Sequence, residues 1–215
     1  MGLYADRIFP WLLDRVTRGV YRDREALLRE ASGRVLEIGV GTGINLPLYD
    51  PAKVTEVVGI EPSAAMLEKA RERIHETGVT LPVRLQQASA EALPFRDASF
   101  DTVVACLVFC TIPDARRATA EMVRVLRPGG RVLFFEHTRS PERPVAKWQD
   151  RIDPLWTRVA CGCHINRSTR DLFEEMGLKF RRIDSYYHPK MGGKISAHVI
   201  VGVAGREPDG EVLSR

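Results

Sequence analysis

The sequence lacks most features that mark a secreted, membrane-spanning or nucleic-acid-binding protein. Its four cysteines among 215 residues are too few for a disulfide framework. The 32 Lys and Arg nearly balance the 28 Asp and Glu and are scattered along the chain, so no nucleic-acid partner is expected. No apolar run approaches the roughly 18 residues that a membrane-spanning helix needs. Asp6 precedes a short N-terminal apolar stretch that has no small-residue cleavage site, so no signal peptide is indicated. Asp6 also stands where myristoylation requires Ser or Thr, and we expect a cytoplasmic protein.

From residue 34 onward, short β-rich runs alternate with helical stretches. Predicted strands cover residues 34–38, 54–60, 83–87, 102–106, 131–136, 179–187 and 194–203, and predicted helices cover 63–76, 114–126 and 168–176. Apolar strands separated by helices indicate a parallel sheet that is covered on both faces. The last two strands follow one another without a helix, so one of them should be antiparallel. We predict a single α/β domain over residues 1–215, with a mostly parallel seven-stranded sheet.

Two segments lie outside this alternation. Residues 1–30 are predicted to form a helical lid, with an apolar face around Ile8, Phe9, Trp11, Leu12 and Val16. Residues 138–167 form a long insertion after the fifth strand. Because ligands of such sheets bind beyond the carboxyl ends of the strands, we expect this insertion on the substrate side.

A glycine-rich loop follows the first predicted strand. Gly39, Gly41 and Gly43 are spaced G-x-G-x-G, and this differs from the G-x-G-x-x-G pattern of dinucleotide-binding proteins. The spacing suits a nucleoside ligand without a pyrophosphate, and it argues against an NAD(P)-dependent oxidoreductase. Glu61 ends the second strand, where a carboxylate can bind the two hydroxyls of a ribose.

The motifs LEIGVGTG, GIEPS, AEALPF, SFD and LRPGG resemble those of class I S-adenosylmethionine-dependent methyltransferases, from about residue 30 to the end of the chain. The chain is most similar to the branch that contains thiol S-methyltransferases, ubiquinone-biosynthesis enzymes and phospholipid methyltransferases. The stretches FEH, DPLW and GCHINR resemble the thiol enzymes in particular. The resemblance implies a Rossmann-like enzyme that uses S-adenosylmethionine, releases adenosylhomocysteine and methylates a small molecule.

The resemblance also implies roles for individual residues around the cofactor. The three loop glycines would pass under the methionine moiety, with Glu37 near its amino group and Glu61 on the ribose. Pro62, Ser63 and Met66 would flank the adenine, and Ser89, Ala90 and Glu91 would border its exocyclic edge. Position 89 is usually Asp in the family, and a serine accepts a weaker hydrogen bond. Leu107 would line the methyl-transfer channel.

The acceptor side is expected beyond the fourth and fifth strands. His137 is the candidate general base because its pKa is near neutrality, and the alternative is a structural histidine at a strand end. Glu136 could bind substrate instead. The remaining predicted pocket residues are Val108, Trp148, Trp156 and Arg167. Cys161, Cys163 and His164 offer only three closely spaced ligands, which makes a poor structural zinc site, so no metal is expected.

The methyl acceptor stays open at this stage. A small thiol is the first hypothesis. A phospholipid such as phosphatidylethanolamine, or a quinone precursor methylated at a membrane surface, is the alternative, so peripheral membrane contact is left open. A non-catalytic nucleoside-binding module is a further alternative, and arsenic methylation has only the number of cysteines in its favour.

Overall fold

Seven strands form one sheet in the computed structural model, which describes residues 18–206. The strands are β1 (Gly33–Ile38), β2 (Val54–Glu61), β3 (Val83–Gln87), β4 (Phe100–Cys106), β5 (Leu126–His137), β6 (Lys179–Tyr187) and β7 (His198–Gly205). Their order is β3-β2-β1-β4-β5-β7-β6. The first five strands pair in parallel, and β7 is antiparallel to both of its neighbours. The predicted α/β fold, with one antiparallel strand, is confirmed.

Residues 18–206 contain five α-helices. They are α1 (Tyr21–Leu28), α2 (Ala64–Thr77), α3 (Ala115–Val125), α4 (Arg143–Val159) and α5 (Thr169–Glu175). Leu28 of α1 and Leu67 of α2 pack into one buried apolar cluster. Met122 of α3 and Phe173 of α5 pack into a second buried cluster. The sheet therefore lies between two hydrophobic cores, as the apolar strands predicted.

Local signals explain where two of the helices begin and end. Ser63 caps α2 by accepting a hydrogen bond from the backbone N–H of Met66, and Gly78 follows the helix with φ +63°. Asp114 caps α3 in the same way through the N–H of Arg117. These caps agree with the predicted helix boundaries to within a residue or two.

Two predicted strands have their boundaries corrected by the structure, and the predicted insertion contains a long helix. The fifth strand covers Leu126–His137 instead of 131–136, because the chain pairs with β4 as soon as α3 ends. The last strand is His198–Gly205 instead of 194–203, because a turn that bonds Ser196 N–H to the Gly193 carbonyl precedes it. The insertion at 138–167 is mostly the 17-residue helix α4, which contains Pro154.

The predicted N-terminal lid lies mostly outside the described residues, which begin at 18 and reach α1 at Tyr21. Within residues 18–206, none of the helices has both the length and the apolar character to span a lipid bilayer. The parallel strands β1, β2, β4 and β5 end at the same edge of the sheet. The loops at that edge carry the predicted site residues.

Candidate active site

The three loop glycines all have left-handed backbone conformations, but they differ in what surrounds them. A Cβ atom on Gly39 would come within 2.3 Å of Val108, and one on Gly43 within 3.1 Å of Ala70. These two glycines therefore allow close packing. At Gly41, which has φ +55°, a Cβ atom would meet only the Gly39 carbonyl oxygen, 3.9 Å away. The space above Gly41 is open to a ligand.

Glu61 joins the end of β2 to this loop. Its carboxylate accepts hydrogen bonds from the backbone N–H of Ser63, at 3.0 Å, and from that of Gly41. The side chain is buried, and burial raises the pKa of its carboxyl group above the usual value. Glu61 thus lies beside the open space at Gly41, where its predicted role on the ribose requires it.

Glu37 is held by a polar network that was not predicted from the sequence. The Tyr49 hydroxyl and the Asn45 amide each donate a hydrogen bond of 2.8 Å to its carboxylate, and Arg24 donates one to Asn45. Burial raises the pKa of Glu37 to about 7. Asn45 is only two residues beyond Gly43, but Arg24 lies on α1, where no motif indicated it.

The residues predicted to flank the adenine are positioned at the start of α2. The Ser63 hydroxyl caps the helix, and the Gln87 amide donates a 2.9 Å hydrogen bond to the Pro62 carbonyl. These contacts connect the ends of β2 and β3. Met66 is partly exposed on the first turn of α2, so its side chain is available to a ligand.

The segment predicted to border the adenine edge forms a compact turn. The Ser89 hydroxyl accepts a hydrogen bond from the Glu91 backbone N–H at 3.2 Å, and Ala90 between them is buried. The Glu91 carboxylate accepts a 2.6 Å hydrogen bond from the backbone N–H of Asp114, which precedes α3. Glu91 therefore links the loop after β3 to α3.

Glu136 organises the loop that follows β4. Its buried carboxylate accepts hydrogen bonds from the backbone N–H groups of Val108, at 3.0 Å, and Phe109, at 3.2 Å. Leu107 has φ +54° and donates its own N–H to the Phe135 carbonyl. Burial raises the pKa of Glu136 to about 7. Glu136 thus supports the predicted channel residues, and the structure gives it this role rather than substrate binding.

His137, at the end of β5, pairs with two cysteines. Its Nε2 lies 3.1 Å from Cys163 Sγ. The pKa of the Cys163 thiol is lowered to about 4, mainly by a hydrogen bond from Cys110 and also by His137. Burial acts in the opposite direction but is outweighed. Burial by itself would lower the pKa of His137, but the Cys163 thiolate raises it above its usual value. The arrangement is an imidazolium–thiolate pair, and Trp156 also hydrogen-bonds Cys163.

Two other predicted pocket residues have different surroundings. The Arg167 guanidinium donates to the backbone carbonyls of Phe109 and Ile112, the second at 2.6 Å, so it holds the loop after β4. Trp148 is 54% exposed on α4, and the Arg151 guanidinium lies 5.6 Å from its ring centroid. Trp148 does not lie at the strand ends as predicted, because it is on the solvent-exposed face of α4.

The three residues considered for zinc in the sequence analysis do not act together. His164 Nδ1 lies 2.8 Å from an Asp153 oxygen, and the same carboxylate accepts the backbone N–H of Ile165. Cys163 faces His137 and Cys110 instead. Cys110 had no motif around it, so only the structure shows its place in the cluster.

Comparisons with known proteins agree with this geometry. A methyltransferase domain model matches residues 36–134. The chain is 39% identical over 139 residues to a phosphatidylethanolamine N-methyltransferase from Cereibacter sphaeroides, covering 65% of this chain and 68% of that protein. It is 30% identical over 192 residues to thiol S-methyltransferase TMT1B from Rattus norvegicus, and the match covers 80% of this chain and 78% of that protein. The crystal structure of YcgJ from Bacillus subtilis superposes with a TM-score of 0.69 at 22% identity, and the superposition covers 90% of this chain and 99% of YcgJ.

The strand order, the glycine loop and the carboxylate at the end of β2 are those of a Rossmann-like fold, in which ligands bind at the carboxyl ends of the strands. With the relatives just described, the chain belongs to the class I S-adenosylmethionine-dependent methyltransferases.

Proposed function

We propose that this methyltransferase methylates the sulfur of a small thiol. The observation that carries the proposal is the His137–Cys163 pair, with 3.1 Å between Nε2 and Sγ, at the carboxyl end of β5. This end lies next to the Leu107–Val108 segment that leaves β4. The cofactor would bind across Gly41 and Glu61, where the open space and the carboxylate suit its methionine and ribose parts.

A thiol acceptor has to lose a proton before its sulfur becomes a good nucleophile. A free thiol has a pKa of about 8.5, so only a few per cent is ionised at pH 7. On this proposal the acceptor releases that proton to solvent, and the positive charge of His137 in its pair with Cys163 favours the thiolate form of the acceptor. S-adenosylmethionine supplies an electrophilic methyl group; the new C–S bond forms as the sulfonium C–S bond breaks, giving a thioether and adenosylhomocysteine. The apolar residues Leu107 and Val108 would keep water away from the reacting atoms.

The extent of the similarity to the thiol enzyme supports the same acceptor. The match covers 80% of the chain, whereas the methyltransferase domain covers only residues 36–134. Residues 1–134 are less than two thirds of the 215-residue chain, so a match that covers 80% of the chain has to continue well beyond residue 134. That part of the chain contains His137, Cys163 and Arg167.

The test is a panel of small thiols of different acidity, assayed for methylated product over a range of pH. The variant H137A should lower the rate with weakly acidic thiols by about tenfold, mainly below the pKa of the thiol, because losing a nearby cation raises that pKa by about one unit. An acidic thiol that is already ionised should be affected much less. The exposed His75 on α2 provides the control variant H75A, which should match the wild type.

The proposal fails if no thiol in the panel is methylated while phosphatidylethanolamine or a quinol precursor is. It also fails if the rate is independent of the acidity of the thiol. Either result would favour the second candidate, a methyltransferase whose acceptor is presented at a membrane surface.

One feature of α4 favours this second candidate. Trp148, Leu155 and Val159 fall on one face of the helix and are 54%, 66% and 60% exposed. Lys147 and Arg151 lie beside that face. Exposed apolar residues flanked by cations are typical of helices that lie in the surface of an anionic membrane. A phospholipid or quinone-precursor acceptor would be reached from such a surface.

Sedimentation with anionic phospholipid vesicles tests the second candidate. The double variant W148S/L155S should reduce vesicle binding by about tenfold if the α4 face inserts into the membrane. The control Y21S changes another exposed aromatic residue, outside α4, and should bind as the wild type does. If the wild-type protein does not sediment with the vesicles, the membrane-surface candidate is excluded.

A further inference from the structure

Cys110, His137 and Cys163 form a compact set of soft ligand atoms at the acceptor side of the active site. The two Sγ atoms and a ring nitrogen all lie within 4.8 Å of one another. Cys110 and His137 are buried, and Cys163 is partly exposed. We propose that these three residues bind a zinc ion whose fourth coordination position receives the acceptor thiol. The second half of this inference depends on the proposed thiol methylation, whereas the metal site itself does not.

The distances suit a tetrahedral zinc ion. With Zn–S bonds of about 2.3 Å and a Zn–N bond of about 2.0–2.1 Å, tetrahedral angles place two sulfurs about 3.8 Å apart and a sulfur and a nitrogen about 3.5 Å apart. The His137 Nε2–Cys163 Sγ distance is 3.1 Å without a metal. Opening this pair by about 0.4 Å is a small side-chain movement. The other two ligand–ligand distances are at most 4.8 Å, so side-chain movements of about 1 Å bring all three atoms to zinc-binding separations.

The three ligands come from different parts of the fold, and hydrogen bonds hold those parts together. Cys110 is in the loop after β4, where Glu136 accepts the N–H of the preceding Phe109. The Cys110 carbonyl accepts the backbone N–H of His164 at 2.8 Å, which fixes the Cys163 loop against it. Metal sites depend on such supporting contacts, because these orient the ligands before the ion binds.

The ligand types favour zinc over the hard cations Mg²⁺ and Ca²⁺, which prefer oxygen. Two thiolates and a neutral imidazole balance the charge of Zn²⁺, and a neutral complex suits a largely buried position. Within residues 18–206, no fourth His, Cys, Asp or Glu ligand atom joins this cluster. Two cysteines and one histidine with an open position are a ligand set of catalytic zinc sites, whereas structural sites have four protein ligands.

A thiol that enters the open position would bind as its thiolate. The Zn–S bond forms as the S–H proton passes to solvent water, because a coordinated thiol is deprotonated near neutral pH. The sulfur keeps a lone pair, with which it attacks the methyl carbon as the sulfonium C–S bond breaks. The zinc ion thus takes the place of the His137 positive charge as the group that favours the thiolate form of the acceptor.

Direct metal binding by the full-length protein tests the site without an activity assay. Protein stripped with a chelator in reducing buffer is given Zn²⁺, dialysed and analysed for zinc, and Co²⁺ is added in parallel as a spectroscopic probe. The wild type should retain one zinc per chain and show the absorption of cobalt–thiolate bonds. C163S and C110S should each bind zinc at least tenfold more weakly.

Cys161 provides the matched control, because it lies in the same loop but outside the cluster. C161S should bind zinc as the wild type does. Stabilisation by adenosylhomocysteine in a thermal melt shows which variants are folded. If C110S does not fold, because Cys110 is more deeply buried, C163S alone tests the site. The site is refuted if the wild type retains no more zinc than C163S, or if C161S loses as much zinc as C163S.

Assays with thiols separate this inference from the proposed function. Zinc binding without methylation of any thiol would leave the metal site standing and overturn the thiol function. Equal rates of thiol methylation by zinc-loaded and zinc-free protein would overturn the role of the open position. A rate that falls on chelation and returns with added Zn²⁺ is the expected result.

Discussion

Individual residues in the glycine loop have separate tasks, although their spacing is regular. Gly39 and Gly43 leave room for Val108 and Ala70, so they serve packing. Gly41 faces open space, which is where we propose that the ligand binds. Substitutions of Gly39 and Gly43 should therefore disturb packing, whereas a substitution of Gly41 should reduce the affinity for the cofactor.

Changing Gly41 to valine should reduce adenosylhomocysteine binding by at least about 100-fold, because the side chain would fill the open space. Calorimetry measures the affinity directly. G78V is the matched control, since Gly78 has a similar left-handed φ of +63° and no atom near its missing Cβ. Comparable losses in G41V and G78V would mean that backbone strain, and not the ligand space, causes the effect.

Changing Glu61 to alanine should weaken the binding of adenosylhomocysteine by about 1–3 kcal/mol, because charged hydrogen bonds to the ribose are lost. Glu56 on the same strand pairs with Arg34 at 2.8 Å instead, so E56A should bind normally. Unchanged affinity of E61A by calorimetry would rule out the assigned role of Glu61.

At the scale of whole elements, α1 is connected to the cofactor loop by hydrogen bonds. Arg24 on α1 contacts Asn45, and Asn45 contacts Glu37 at the end of β1. A ligand that engages Glu37 should therefore stabilise α1 through this network. The predicted lid at residues 3–20 precedes this helix in the chain.

Adding adenosylhomocysteine should slow hydrogen exchange in α1 by several-fold, because ligand binding at Glu37 stabilises the network to Arg24. The same experiment should show protection at residues 3–20 if the predicted lid closes over the cofactor. The variant N45A should remove the effect in α1, whereas α5, on the other face of the sheet, should not change in either protein. Equal protection of α1 in N45A would show that this network does not transmit the effect.

At the scale of the whole molecule, the buried carboxyl group of Glu37 links stability to pH. Its pKa is raised from 4.5 to about 7 by burial, so between these values the folded state holds a proton that the unfolded state has released. The stability from this proton is fully present below about pH 4.5 and is lost as pH rises through 7.

The free energy of unfolding of the cofactor-free protein should therefore fall more steeply between pH 5 and pH 8 than that of the variant E37Q. An amide has no proton to lose in this range, so it lacks this contribution. Denaturant titrations at several pH values measure the difference between the two proteins. The surface variant E56Q should follow the wild type, and identical slopes for wild type and E37Q would contradict the raised pKa.

The sequence by itself determined the features that are local in the chain. The strand and helix pattern and the caps at Ser63 and Gly78 were readable because each signal is continuous or adjoins a strand end. The cofactor residues predicted from Gly39 to Glu61 come from motifs of the same kind. Parallel strands bring those ends to one edge of the sheet. The α/β fold and the enzyme family followed from this pattern.

Only the tertiary structure decided which distant residues meet. Cys110, His137 and Cys163 are 27 and 26 positions apart in the chain, and they meet because the segment after α4 folds back onto the loop after β4, where the His164 N–H bonds the Cys110 carbonyl. The orientation of α4 turned Trp148 outward, although its residue type favoured a pocket. Side-chain direction on α4 depends on how that helix lies on the sheet. Helical spacing shows which residues share a face, but it does not show which face is buried.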